Sequence, residues 1–308
     1  MRKVIFTGFI FSILFSLFTQ SAVHGVTKKS RIINKSGQQY EQWFNGKGIT
    51  IDLSKERPEE FIVTISQGKM LFERLCTTCH GKKGDGQGVR AGDFITKPTD
   101  FTAGTYKFRS TPSGSIPADE DIFRTISIGV RGTAMLPWTA LDDDDKWRLT
   151  YFLKDLSDRF SEEDVEESID IPPAPASITG MLKQGAALYE KNKCFECHGL
   201  LGRGDGPKAA DLKDDAGRKV RMPDFSKDPF KRGWEIGDIY RTLATGLDGT
   251  PMASYGDSIS GNDLTALAAY VRSLNTAPTG MRRDEGRGVL IYWQGMTGAM
   301  GSGMMPDQ

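Results

Sequence analysis

This sequence has almost no long apolar runs, no net charge, and very few cysteines or histidines. Val4 to Phe18 is the single extended apolar stretch among 308 residues, which excludes a protein that crosses a membrane many times. Forty Lys and Arg balance forty Asp and Glu, so there is no global basic field and nucleic acid is not the expected partner. A hydrophobic content of 38% is still enough for a packed core, and the length suits two domains of ordinary size. What remains are four Cys (76, 79, 194, 197) and three His (24, 80, 198). Because they are so few, each can be assigned.

The apolar stretch reads as an export signal. Arg2 and Lys3 form a basic start, and the polar, small-residue segment Thr19 to Gly25 supplies a cleavage site at Gly25. Val4 to Phe18 is shorter than the roughly 20 residues that span a bilayer, which argues against a retained anchor. No Cys lies near the junction to carry a lipid. The expected product is soluble and exported, for example periplasmic. Loss of residues 1–25 removes His24, Arg2 and Lys3, and shifts the formal charge from zero to −2.

An even number of Cys in an exported chain would ordinarily suggest disulfides. The spacing points elsewhere. Cys76-Thr77-Thr78-Cys79-His80 and Cys194-Phe195-Glu196-Cys197-His198 are both C-x-x-C-H, the attachment pattern of c-type haem. Two thiols add across the two haem vinyl groups, and the adjacent His supplies the proximal nitrogen to iron. A thioredoxin-like redox pair does not need that His. A zinc site would have to bring two knuckles together across 118 residues of chain. The expected cofactors are therefore two covalently attached haem c groups.

Self-comparison shows a tandem repeat. Gly68 to Phe72 corresponds to Gly185 to Tyr189, and Gly84-Asp85-Gly86 to Gly204-Asp205-Gly206. Asp100-Phe101 corresponds to Asp224-Phe225, Asp121 to Ile126 to Asp238 to Leu243, and Gly132 to Met135 to Gly249 to Met252. Apolar residues at i, i+3, i+4, i+7 (Leu149, Phe152, Leu153, Leu156; Leu267, Tyr270, Val271, Leu274) predict a closing helix in each unit. Asp142 to Asp145 reads as the capping turn of the first. The expected order is a signal (1–25), an extension without assigned function (26–61), domain 1 (62–158), an exposed acidic and Pro-rich linker (159–179), domain 2 (180–276) and a Gly/Met-rich tail (277–308).

The second axial ligand follows from the same census. With His80 and His198 used as proximal ligands, no His remains after signal cleavage, so methionine is the natural distal ligand. The repeat selects Met135, 55 residues after His80, and Met252, 54 after His198, each preceded by Gly-Thr-x. Lys and Asn stay open as alternatives.

These residues resemble the class I cytochrome c family. Each half has C-x-x-C-H after a first helix and a candidate distal Met before the last. Gly68-x-x-x-Phe72 and Gly185-x-x-x-Tyr189 look like the family's N-terminal helix, whose Gly permits close crossing by the C-terminal helix; Phe152 and Tyr270 match the aromatic of that helix. The resemblance covers roughly 62–158 and 180–276 and implies an all-α fold of two tandem domains, each wrapping one haem. Distal loops reading Met135-Leu136-Pro137-Trp138 and Met252-Ala253-Ser254-Tyr255 depart from one another, which predicts different loop geometries. Lys107, Arg109, Lys231 and Arg232 are candidates to pair with haem propionates, and the Pro98 or Pro223 carbonyl to accept the proximal His N–H. The function implied is one-electron transfer between redox partners, free or as a subunit of a larger oxidoreductase. The competing reading is a dihaem enzyme, peroxidase-like or thiosulfate-oxidising.

Overall fold

A computed structural model describes residues 51–275 in full and, before them, the backbone of strands β1 (Tyr40–Phe44) and β2 (Lys47–Ile51). The export segment and the Gly/Met-rich tail lie outside the described residues. The strands form an antiparallel hairpin with Tyr40 opposite Ile51 and Phe44 opposite Lys47, within the extension that carries no assigned function. Among the described residues after it, the named α elements are α1 (Ile62–Leu75), α2 (Thr77–His80), α3 (Asp119–Ile128), α4 (Asp143–Asp155), α5 (Arg159–Glu162), α6 (Leu182–Lys191), α7 (Phe195–His198), α8 (Ile236–Thr245) and α9 (Gly261–Ser273). The fold class is all-α, as the resemblance implied. Among the described residues, no helix is long and apolar enough to cross a membrane.

In each half the first helix packs across the last: α1 on α4, and α6 on α9. Glycine makes the approach possible. A Cβ on Gly68 would collide with the Arg148 carbonyl and lie 2.9 Å from the Phe152 Cβ; a Cβ on Gly185 would collide with the Ala266 carbonyl. One turn further on, Phe72 meets Phe152 (centroids 5.2 Å apart) and Tyr189 meets Tyr270 (5.4 Å). The stripes predicted on α4 and α9 face these contacts, with Leu149, Phe152, Leu153, Leu267 and Val271 all buried. Asp142 caps α4 by accepting the Asp145 N–H at 2.8 Å. Asp121 on α3 is fully buried, and one of its carboxylate oxygens accepts from the Ser110 amide and hydroxyl, which pins the loop before the helix.

Two segments that looked detached in the sequence hold helix faces. Ile51 and Leu53 join Phe123, Ile128, Trp147 and Tyr151 in a second core on the back of α3 and α4. The Arg57 guanidinium lies 4.7 Å over the Trp147 ring, and the Tyr151 hydroxyl donates to the Pro58 carbonyl. The acidic, Pro-rich linker is mostly exposed, as expected, yet Ile169, Ile171 and Ile178 pack on the core of the second half. The Ile169 amide also donates to the Ser110 carbonyl. It is a tethered strap rather than a free spacer, because isoleucines interrupt the acids and prolines.

The halves meet along a seam of buried charge. Arg109, 1% exposed, donates to the Thr245 carbonyl and to Asp248 at 2.8 Å each. Arg124 on α3 donates to Asp238 on α8 at 2.6 Å and to the Arg232 carbonyl at 3.2 Å. Burial alone would raise the Asp238 carboxyl, but Arg124 and Arg241 outweigh it and hold it below the usual aspartate range.

Candidate functional site

The two C-x-x-C-H motifs fold alike. Each forms one short helical turn, α2 or α7, directly after the first long helix. The amides of His80 and His198 donate to the carbonyls of Cys76 and Cys194 at 2.9 Å. The next turn repeats as well: the Gly84 amide bonds the Gly81 carbonyl and the Gly202 amide the Gly199 carbonyl, at 3.1 Å each. The Gly86 amide returns to the His80 carbonyl as the Gly204 amide does to His198, and Phe101 and Phe225 donate to Gly84 and Gly202. Gly84-x-Gly86 therefore corresponds to Gly202-x-Gly204, two residues earlier than the Gly-Asp-Gly match suggests. The matching triplets misled the alignment because Asp85 and Asp205 approach equivalent glycines, Gly81 and Gly199, from different registers.

The Asp-Phe motif acquires a role that periodicity did not show. Phe101 stacks on the His80 imidazole at 4.6 Å and Phe225 on His198 at 4.8 Å. Asp100 and Asp224 fix the turn that delivers them, accepting from Thr102 and from Ser226 through both amide and hydroxyl. The His80 Nδ1 faces the Thr99 carbonyl at 3.2 Å, not Pro98. The His198 Nδ1 is buried and has no hydrogen-bond partner, so Pro223 does not serve. Burial disfavours the charged form of both imidazoles and takes His198 down to about 4, leaving neutral rings able to ligate.

The loops carrying Met135 and Met252 are also superimposable in their bonding. The Val130 amide donates to the Met135 carbonyl and the Leu247 amide to that of Met252; the Thr133 and Thr250 hydroxyls accept the amides of those methionines. Trp138 and Tyr255 donate back to Ile126 and Leu243. The different residues at 136–137 and 253–254 leave this hydrogen-bond pattern unchanged, contrary to the expectation of distinct geometries. Gly129 and Gly246, at φ +66° and +68°, let the loop turn where a Cβ would crowd the methionine carbonyls.

One cavity with mostly apolar walls runs through both halves, lined by all eight candidate residues: Cys76, Cys79, His80, Met135, Cys194, Cys197, His198 and Met252. The four thiols form no disulfide. Burial pushes Cys76 up to about 12 and Cys194 up to about 11, opposite to the low-pKa thiolate of a dithiol redox centre. Among the described residues, no cluster of three or more His, Cys, Asp or Glu is arranged to hold a metal ion. Of the four candidate propionate partners, Lys107, Lys231 and Arg232 line the cavity. Arg109 does not; its nitrogens are spent on Pro112, Tyr106, Thr245 and Asp248 at the seam. Arg232 donates Nη1 to Thr125 across the seam, while its Nη2 is buried with no hydrogen-bond partner. The Arg232 guanidinium lies in the field of the Asp121 and Asp238 carboxylates, and its unpartnered Nη2 leaves one donor for an acid group of a bound molecule.

Family comparison agrees with this geometry. Residues 182–275 match the cytochrome c family, and residues 63–153 match the family described as cytochrome c oxidase, cbb3-type, subunit III. A chain of a solved Kuenenia stuttgartiensis assembly, described as a reducing HAO-like protein complex, is 39% identical. The alignment covers 73% of this chain and 100% of that one, with a TM-score of 0.66. This chain is a c-type cytochrome. No curated protein matches the cytochrome. Its two cytochrome c domains imply covalently bound haem c and a part in electron transfer. The cavity fits that group, offering paired thiols, a neutral imidazole, a thioether and buried cations for its carboxylates.

Proposed function

We propose that this cytochrome is an exported dihaem electron carrier working as the electron-transfer subunit of a larger oxidoreductase. Cys76 and Cys79 hold one haem and Cys194 and Cys197 the other; His80 and His198 are the proximal ligands, and Met135 and Met252 the distal ones. The observation that carries this reading is the doubled Cys, Cys, His, Met set lining one cavity. Bound haem supplies a one-electron Fe(III)/Fe(II) couple. The chain's residues do the rest. Phe101 and Phe225 fix the imidazole planes, the Thr133 and Thr250 turns present the thioethers, and the apolar walls keep water from the iron. With both axial positions filled by protein, no small substrate binds there, which favours a carrier over an enzyme. The role as a subunit is supported by the likeness to a chain of the Kuenenia stuttgartiensis complex. Export is supported by the basic, apolar and small-residue order of residues 1–25.

Absorption spectra of Met135→Ala and Met252→Ala test the ligands. Each variant is expected to lose half of the Met-to-iron charge-transfer band and to gain one high-spin haem. A wild-type protein that already holds a five-coordinate, high-spin haem would instead support the enzyme.

A further inference from the structure

The hydrogen bonds of the two C-x-x-C-H turns and of the two methionine loops match, and the sites differ at the proximal histidines. The His80 Nδ1 lies 3.2 Å from the Thr99 carbonyl, whereas the His198 Nδ1 is buried without an acceptor. The cause is local. Counting back from the stacked phenylalanine, domain 1 reads Pro98-Thr99-Asp100-Phe101 and domain 2 reads Met222-Pro223-Asp224-Phe225. Thr99 can turn its carbonyl onto the ring. In domain 2 the residue at that position is Pro223, whose ring fixes φ and restricts Met222 before it, and His198 Nδ1 finds no acceptor there. Phe101 and Phe225 stack at nearly equal distances, and the methionine loops share one hydrogen-bond pattern, so neither separates the sites.

A carbonyl that accepts the Nδ1 proton makes the imidazole a stronger donor to iron, which stabilises Fe(III) and lowers the reduction potential. We propose that the Thr99 carbonyl makes domain 1 the lower-potential site, so that electrons run from domain 1 to domain 2. In the singly reduced protein the electron resides in domain 2. One electron leaves Fe(II) in domain 1 and reduces Fe(III) in domain 2, with no proton moved and no bond broken. One cavity with mostly apolar walls is lined by the residues of both sites. The inference rests on the ligand assignment proposed above and adds an order to it.

The test is a spectrally monitored redox titration of the full-length holoprotein, with Met135→His and Met252→His alongside. Imidazole in place of thioether lowers the potential of its own haem and so labels it. The expected result is two waves in the wild type, the lower moved by Met135→His and the upper by Met252→His. A single wild-type wave, or an upper wave moved by Met135→His, overturns the order while leaving the ligands intact. If neither variant moves a wave, the methionine ligands are wrong and the order falls with them. A second variant tests the cause: Met222→Pro with Pro223→Thr gives domain 2 the domain 1 sequence and should narrow the gap by lowering the upper wave. An unchanged gap in that variant would show that the carbonyl is not what sets the difference.

Discussion

That His80 and His198 would share a cavity with Met135 and Met252, the proposed distal ligands, was legible from the sequence, because C-x-x-C-H carries its own chemistry and the repeat left no other matched thioether. The acceptor of the proximal N–H was not legible. A carbonyl has no side-chain signature, and Thr99, which faces His80, is matched in domain 2 by Pro223, which does not bond His198. Arg109 was misplaced for a similar reason. It sits near Lys107 in sequence, as Arg232 sits beside Lys231, but its side chain points to the seam, where Asp248 and three carbonyls use its nitrogens. Losing one partner of a pair this buried costs about 3 kcal/mol or more. Arg109→Ala is accordingly expected to lower the melting temperature clearly, whereas Arg90→Ala, in an exposed pair with Asp93, should scarcely move it. Equal melting temperatures would contradict the role of Arg109 as a clamp.

The helices follow from periodicity, and their crossings from glycine. The stripes on α4 and α9 show in the sequence as i, i+3, i+4, i+7 sets, and Gly68 and Gly185 mark where the partner helices pass. Trp147 and Tyr151 fall outside the stripe, since their face is covered by the Ile51 to Pro58 segment, whose polar pattern gave no sign of docking. Gly68→Ala and Gly185→Ala should each destabilise by about 1–3 kcal/mol through overpacking at the crossing. Gly92→Ala, with open space around its Cβ, serves as the neutral comparison. Thermal melts of the three variants decide the matter; a neutral Gly68→Ala would mean that α1 and α4 do not cross there.

In the whole molecule, two repeats are joined by buried charge rather than by a greasy seam. Zero net charge gave no hint of this, because pairing across the interface involves only a few of eighty charged residues. Arg124 and Arg241 hold Asp238 ionised below the ordinary aspartate value of about 3.8. A depressed carboxylate contributes stability that is fully present above that value and is lost as pH falls through the folded-state value. Melting temperature should therefore hold from neutral pH down to about 4 and drop below it, and Asp238→Asn should flatten that drop while lowering the neutral-pH value. An acid limb as steep in Asp238→Asn as in the wild type would place the sensitivity elsewhere.

The repeat itself was the most legible feature, and it is what makes the account a dihaem one. Coulometric reduction of the purified protein, with EPR of the oxidised form, tests that most directly. The account predicts two electrons per chain and two low-spin ferric signals. Uptake of one electron per chain, or a high-spin ferric signal, would contradict it.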